Sequence, residues 1–362
     1  MDVRRKAVAH DFAARLIAWQ ARHGRHDLPW QQARTPYRVW LSEVMLQQTQ
    51  VATVIPYFER FVATYPDVFA LARAGQDEVL HLWTGLGYYS RARNLHRAAQ
   101  LVVLQHGGEF PRDVGALAAL PGIGPSTAAA ILALTHDLPH AILDGNVKRV
   151  LARYHAIEGW PGERAVLDQL WQLARAHLPS DRVREYTQAL MDLGATLCKR
   201  TRPMCSSCPL VDDCAAHAAG CQHALPAARP RRARPARTTH FIVLRDAARY
   251  LLERRPASGV WGGLWSLPEI TDEAELAARV ALLGFREARI TARLAPIAHG
   301  FTHFDLSIQP LLVEARADGV RDSADLCWYS PRDSTRIGLP APVARLLRAL
   351  AKCSEEPPCP AP

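Results

Sequence analysis

Two carboxylates and a knot of thiols are the residues here with chemistry to offer. Glu43 falls in a segment where Tyr37, Trp40, Val44 and Gln47 would share one helical face, and it lies at the edge of that face, about 60° from Trp40 at 100° per residue. A carboxyl group pressed against apolar neighbours resists ionising, so its pKa rises. An acid that keeps its proton near neutrality is what general acid catalysis needs. The position equally suits an ordinary boundary glutamate that swings out to water. Asp144, in Ile142-Leu143-Asp144-Gly145-Asn146, sits just ahead of Val147, Val150, Leu151 and Tyr154, which are spaced as one helix face. It is therefore placed as an N-cap, where the helix dipole and free N–H groups favour its ionised form. Capping alone would account for it. With Glu43, though, it makes a pair of carboxylates in opposite environments, one proton-holding and one charged. That division of labour suits cleavage of a glycosidic bond through an oxocarbenium-like state.

Four of the eight cysteines crowd into Cys198-x6-Cys205-x2-Cys208-x5-Cys214. Four thiolates are the ligand set of a cubane 4Fe–4S cluster or of tetrahedral zinc. Zinc more often takes two Cys-x-x-Cys knuckles, and only one is present. Lys199, Arg200 and Arg202 lie in the same loop, so a metal-braced loop could lay basic side chains on a polyanion.

The elements that must carry these groups are helical up to about residue 220, with apolar residues three and four apart and Gly/Pro punctuation. Thr35-Pro36 starts one helix as a hydroxyl cap followed by proline at the first turn. Leu120-Pro-Gly-Ile-Gly124-Pro-Ser126 joins two small-residue helices. Its two glycines permit positive φ and leave backbone N–H groups uncovered at a helix start, a phosphate-sized anion site that fits a helix–hairpin–helix gripping DNA backbone. From Ala224 to Arg237 three prolines and five arginines form an extended linker. Beyond it the texture changes to strands at Thr238–Leu244, Tyr250–Pro256 and Phe304–Val313, with helices at Asp272–Leu283 and Pro342–Leu350. The expected organisation is a multidomain one: an all-α domain over 1–224, holding the helix–hairpin–helix at about 113–135 and the cysteine loop at 198–214. A linker over 225–238, an α+β domain over 239–350 and a disordered tail over 351–362 follow.

A formal net charge of +9 favours polyanionic partners. No apolar run reaches the ~20 residues of a membrane span, and the start is too polar for a secretory signal. A cytoplasmic protein is expected.

Five stretches together resemble the MutY-type adenine DNA glycosylases, helix–hairpin–helix enzymes with a C-terminal MutT/Nudix-like domain. They are Trp40-Leu-Ser-Glu-Val-Met-Leu-Gln-Gln-Thr-Gln-Val51, Leu82-Trp-Thr-Gly-Leu-Gly-Tyr-Tyr-Ser-Arg-Ala92, Leu120-Pro-Gly-Ile-Gly124, Ile142-Leu-Asp-Gly-Asn-Val-Lys-Arg-Val150 and the four-cysteine loop. The resemblance runs from about residue 10 to 350. It implies a 4Fe–4S cluster on Cys198, Cys205, Cys208 and Cys214, and excision of adenine opposite 8-oxoguanine or guanine in duplex DNA after base flipping. It also implies that Glu43 protonates the flipped adenine, that Asp144 stabilises the sugar cation and that Asn146 helps hold the reacting centre. Gln48 and Tyr88 resemble wedge residues, Leu28, Trp30 and Gln188 the adenine pocket, and Gly122, Gly124, Ser126 and Lys148 backbone contacts. Relatives that also nick the strand carry a lysine where Ser126 stands, so lyase activity is expected to be absent or weak. Gly259-Val-Trp-Gly-Gly-Leu-Trp265 resembles the Nudix-like domain, but 277–282 lack the carboxylates a working hydrolase uses for magnesium. In the family a Phe-Ser-His loop reads 8-oxoguanine. Here it is Phe301-Thr302-His303, whose threonine keeps the hydroxyl and adds a methyl. A monomer is expected. Three other readings are weaker: a bifunctional lyase lacks its lysine, an idle DNA-binding protein would not need both carboxylates, and a nucleotide hydrolase lacks its metal ligands.

Overall fold

The computed structural model describes residues 3–230, 233–317, 324–332 and 336–353. Its contacts divide the chain into two units, one of 1–73 with 94–231 and the other of 74–93 with 232–362. Among the described residues no helix is long and apolar enough to cross a membrane.

The first unit is helical. The segment Pro36–Leu46 starts at Thr35, whose hydroxyl accepts from the Arg38 N–H at 3.2 Å, with Pro36 in the first turn. The hairpin consists of Val114–Ala118, capped by Asp113, a turn, and Pro125–His136. Next come Gly145–Tyr154, Arg164–Ala176 and Val183–Thr196. Val147, Val150, Leu151 and Tyr154 are all buried, as their spacing requires, in a core with Phe12, Leu16 and Leu190. Cys198, Cys208 and Cys214 pack against the same core. After Thr196 the chain runs in short turns, Cys205–Ser207 and Val211–Asp213, before the one-turn helix Ala215–Ala218.

The second unit is built on a sheet of eight strands among the described residues: β1 (Ala236–Asp246), β2 (Arg249–Arg254), β3 (Trp265–Ser266), β4 (Glu269–Ile270), β5 (Phe285–Arg293), β6 (Ile297–Gly300), β7 (Asp305–Ala317) and β8 (Leu326–Tyr329). The central pairing, β1 with β7, is parallel, and the other pairings are antiparallel. Ile242, Leu244, Leu251, Leu311 and Val313 meet Leu276 and Val280 of the helix Leu276–Leu282 in its core. The helix Ala341–Cys353 closes the unit. The linker is shorter than expected, since β1 already begins at Ala236, and the expected helix over Asp272–Leu283 opens with a single 3-10 turn, Glu273–Glu275. The tail expected to be disordered lies, from residue 354 onward, outside the described residues.

Candidate active site

Glu43 and Asp144 open into one cleft of the first unit, about 840 Å³ in volume and lined also by Arg25, Gln48, Ser126 and Asn146. Trp40 and Val44, on either side of Glu43 along its helix, are in the core. Glu43 itself is half-buried, and no described residue gives its carboxylate a hydrogen bond. Burial, helped by the charge of Asp144, pushes its pKa up to about 7.

Asp144 does cap its helix. It accepts from the Val147 N–H at 2.8 Å, and Asn146 Nδ2 donates to its second oxygen at 3.2 Å. Sequence reasoning expected a helix terminus to keep its pKa low. Burial instead raises it on balance, although the Val147 and Asn146 N–H groups and Arg149 pull the other way. The donors fall on Asp144 and none on Glu43, and the charge of Asp144 is one cause of the rise at Glu43. The hydrogen bonds that oppose burial act at Asp144 alone.

The hairpin is fastened to both carboxylate segments. Gln47 Nε2 donates to the Gly122 carbonyl at 3.2 Å, and Ser126 Oγ accepts from the Leu143 N–H at 2.9 Å. Only the first glycine uses its freedom. Gly122 has φ of +80°, and a Cβ there would meet Asn94 Cβ at 2.9 Å. Gly124, expected to do the same, is an ordinary extended N-cap with φ −90°. Gln48 is exposed at the cleft with φ of +58°, and Lys148 is half-buried on the helix that Asp144 caps.

Leu28, Trp30 and Gln188 do not line the cleft. Leu28 and Trp30 are buried, Trp30 with its ring edge-on to Phe58. Gln188 is also buried, donating at 2.9 Å to Asp192, which Arg25 in turn grips through its backbone N–H and its guanidinium. Sequence reasoning missed this Asp192–Arg25 pair, whose partners are 167 positions apart.

It also missed two arginines that tie the cysteine loop to the capped helix. Arg149 donates to the carbonyls of Cys198 and Gly194 and to Asn146 Oδ1, each within 2.8 Å. Arg153 is buried and donates to the carbonyls of Lys199, Arg200 and Leu225, and at 3.3 Å to Cys198 Sγ. A continuous chain of hydrogen bonds therefore runs from the Cys198 backbone through Arg149 and Asn146 to Asp144. The thiols of Cys198, Cys205, Cys208 and Cys214 line one cavity with Val150, Leu193 and Leu210. Burial and the neighbouring thiols push Cys208 up to about 12 and raise Cys205 and Cys214 as well. Soft donors of this kind in an apolar pocket fit a metal that displaces their protons. Among the described residues no three His, Cys, Asp or Glu side chains meet around a single metal position.

In the second unit, a cavity of about 980 Å³ is lined by Tyr88, Trp261, His299, Phe301, Thr302 and His303, among others. Phe301 stacks on Phe304 with centroids 4.5 Å apart and meets His299 edge-on. Thr302 and His303 are exposed. Arg234, from the arginine-rich linker, donates to the Phe301 carbonyl at 3.2 Å, and Arg237 lies over the Phe304 ring at 4.6 Å. Glu269, at the start of β4, pairs with Arg255 at 2.7 Å.

A helical hairpin unit with paired carboxylates, joined to a Nudix-like sheet, defines the class of base-excision glycosylases. Residues 41–176 match the HhH-GPD superfamily of base excision DNA repair proteins, and 239–349 match the NUDIX domain family. A thermostable thymine-DNA glycosylase is 27% identical, covering 60% of this chain and 98% of its own, with a TM-score of 0.53. The adenine DNA glycosylase of Buchnera aphidicola subsp. Acyrthosiphon pisum is 34% identical over 347 residues, 94% of this chain and 98% of that protein. The human adenine DNA glycosylase is 36% identical over 82% of this chain and 66% of its own length. The chain belongs to the adenine DNA glycosylase family.

Proposed function

We propose that this protein, as a monomer, hydrolyses the N-glycosidic bond of adenine paired with 8-oxoguanine or guanine in duplex DNA and leaves an abasic site. The observation that carries this reading is the pair of carboxylates sharing one cleft under unlike conditions. Glu43, half protonated near pH 7, donates its proton to the departing base. Asp144 keeps its charge through its N–H donors and stabilises the cationic sugar while water attacks. Asn146 holds that carboxylate. The cleft takes the base only after it leaves the stack. Gln48 and Tyr88 fill the gap, and the Gly122–Ser126 hairpin with Lys148 grips the phosphate backbone. Leu28 and Trp30 serve as core behind the pocket, while Gln188 shapes it through Asp192 and Arg25. Phe301, Thr302 and His303 read the oxidised base.

At Ser126 the side chain is a hydroxyl engaged with the Leu143 N–H. No amine stands there to form a Schiff base, so the product strand should break only on alkaline treatment. Cys198, Cys205, Cys208 and Cys214 would hold a 4Fe–4S cluster, whose contribution is to brace the loop that carries Lys199, Arg200 and Arg202.

Duplexes with A:8-oxoguanine, A:G or an oxidised pyrimidine, assayed with and without alkali, test the whole reading. Excision of adenine alone is expected, and cleavage of the pyrimidine duplex without alkali would overturn it. About four irons and four sulfides per chain are expected in protein purified without oxygen. One zinc and no iron would overturn the cluster.

A further inference from the structure

Residues 74–93 precede the hairpin in sequence, yet they pack as part of the second unit. The short helix Gln76–Leu82 brings Asp77 to β2 and β3. Asp77 Oδ2 accepts from Arg254 Nη2 at 2.7 Å and from Trp265 Nε1 at 3.4 Å. His81 Nδ1 meets the Ile337 carbonyl at 3.1 Å, the Tyr89 hydroxyl donates to the Leu339 carbonyl at 2.8 Å, and Arg93 donates to the Gly262 carbonyl at 2.5 Å. Between these anchors the loop is tied to itself. Trp83 Nε1 and the Arg91 guanidinium both donate to the Gly87 carbonyl, and Arg91 lies against the rings of Trp83 and Tyr88.

One large side chain of this segment stands partly in the open. Tyr88 is 44% exposed, stands in the left-handed region at φ +50°, and faces the cavity shared with Phe301, Thr302 and His303. A bulky residue holds such a conformation only where its surroundings determine it. Here those surroundings belong to the unit that carries the Phe301–His303 loop.

We propose that Asp77 and Tyr89, through Arg254, Trp265 and Leu339, are positioning residues for mispair discrimination. They hold Tyr88 in register with the Phe301–Thr302–His303 loop, so that wedge and reader act as one body. The proposal rests on reading Tyr88 as a wedge and that loop as the lesion reader. Asp77 would touch neither base nor sugar. Its effect is on the ratio of A:8-oxoguanine to A:G excision rather than on bond cleavage.

The test is single-turnover excision from both duplexes by full-length Tyr88→Ala, Asp77→Ala, Tyr89→Phe and the two doubles with Tyr88→Ala. Asp77→Ala should lower the discrimination ratio several-fold to about a hundred-fold, the range of couplings between residues in contact. The loss should appear at subsaturating enzyme, where weaker lesion binding slows A:8-oxoguanine excision, while the rate on A:8-oxoguanine at saturating enzyme should stay within about threefold of wild type. Tyr89→Phe, which removes one hydroxyl and keeps the ring, should act in the same direction by less. In the Tyr88→Ala background neither should lower the ratio further. A full additional loss in that background would mean that Asp77 works by another route, and the proposal would be wrong. It also fails if Asp77→Ala and Tyr89→Phe keep the wild-type ratio while Tyr88→Ala loses it, which leaves the wedge reading standing. If Tyr88→Ala itself keeps the ratio, the wedge reading falls and the proposal with it. Should Asp77→Ala not fold, Tyr89→Phe decides.

Discussion

Replacing Glu43 by glutamine probes the site at the atom proposed to move a proton. An amide cannot donate it, so excision should fall by at least the ~10²–10⁴ typical of general acid catalysis, while DNA binding persists. A single-turnover rate near wild type would show that Glu43 is a boundary residue after all. The wild-type rate should decline as pH rises through about 7, because in the proposed reaction the proton-holding form is the active one. Stability carries a matching signature. Glu43 titrates from 4.5 up to about 7 on folding, so between those values the native state binds the proton that the unfolded chain has lost. Its contribution is therefore full below pH 4.5 and is lost as pH rises to about 7, by up to about 3 kcal/mol at 1.36 kcal/mol per unit. Denaturant melts of wild type and Glu43→Gln should diverge across that window and run parallel above it. Asp144→Asn should cut turnover while sparing much of the fold, since asparagine is also a good cap. Equal excision rates for Asp144→Asn and wild type would reduce Asp144 to a cap.

The hairpin and the helix capped by Asp144 act as a set of linked elements. Alanine at Gly122 would need a left-handed backbone and would press its Cβ against Asn94. It should cost on the order of 1–3 kcal/mol of stability and weaken DNA binding. Ser126→Ala should leave the Leu143 N–H without its partner, a loss of about 1–3 kcal/mol seen as a lowered unfolding midpoint. Some of this was legible in the chain. Thr35-Pro36, Asp144 and the Val147–Tyr154 spacing announce themselves because caps and helical periodicity are local. Arg149 and Arg153 were not, because their partners are carbonyls some 45 to 72 positions away and nothing in their neighbourhood marks them. Strand β5 escaped for a similar reason. It alternates arginine, glutamate and threonine on a mostly exposed face, so no apolar alternation betrays it, and its place is fixed by pairing with β7. The two-residue strands β3 and β4 are too short to show a period at all.

For the whole molecule, a fragment ending near Ala224 keeps both carboxylates, the hairpin and the cysteine loop. It should still excise adenine but discriminate A:8-oxoguanine from A:G poorly. Thr302→Ala with His303→Ala should cost on the order of 1–3 kcal/mol opposite 8-oxoguanine, as a lost base-edge contact does, and little opposite guanine. Undiminished preference in both proteins would shift lesion sensing to Gln48 and Tyr88. The fragment also strips Asp77, His81 and Tyr89 of their partners. It should therefore melt at a lower temperature than the full chain.

The sequence by itself determined the residue types of the site, the order of the motifs, the local caps and the family. Each of these depends on neighbours within a few positions, or on a pattern carried by contiguous stretches. Only the tertiary structure decided that Asp144 is not a simple low-pKa cap, because burial is a property of the packed interior and outweighed the helix terminus there. Distance along the chain is also silent about who packs with whom. That is why Arg25 reaches Asp192 from 167 positions away, why Arg234 and Arg237 left the linker to hold the Phe301 loop, and why residues 74–93 joined a sheet that begins more than 140 positions later.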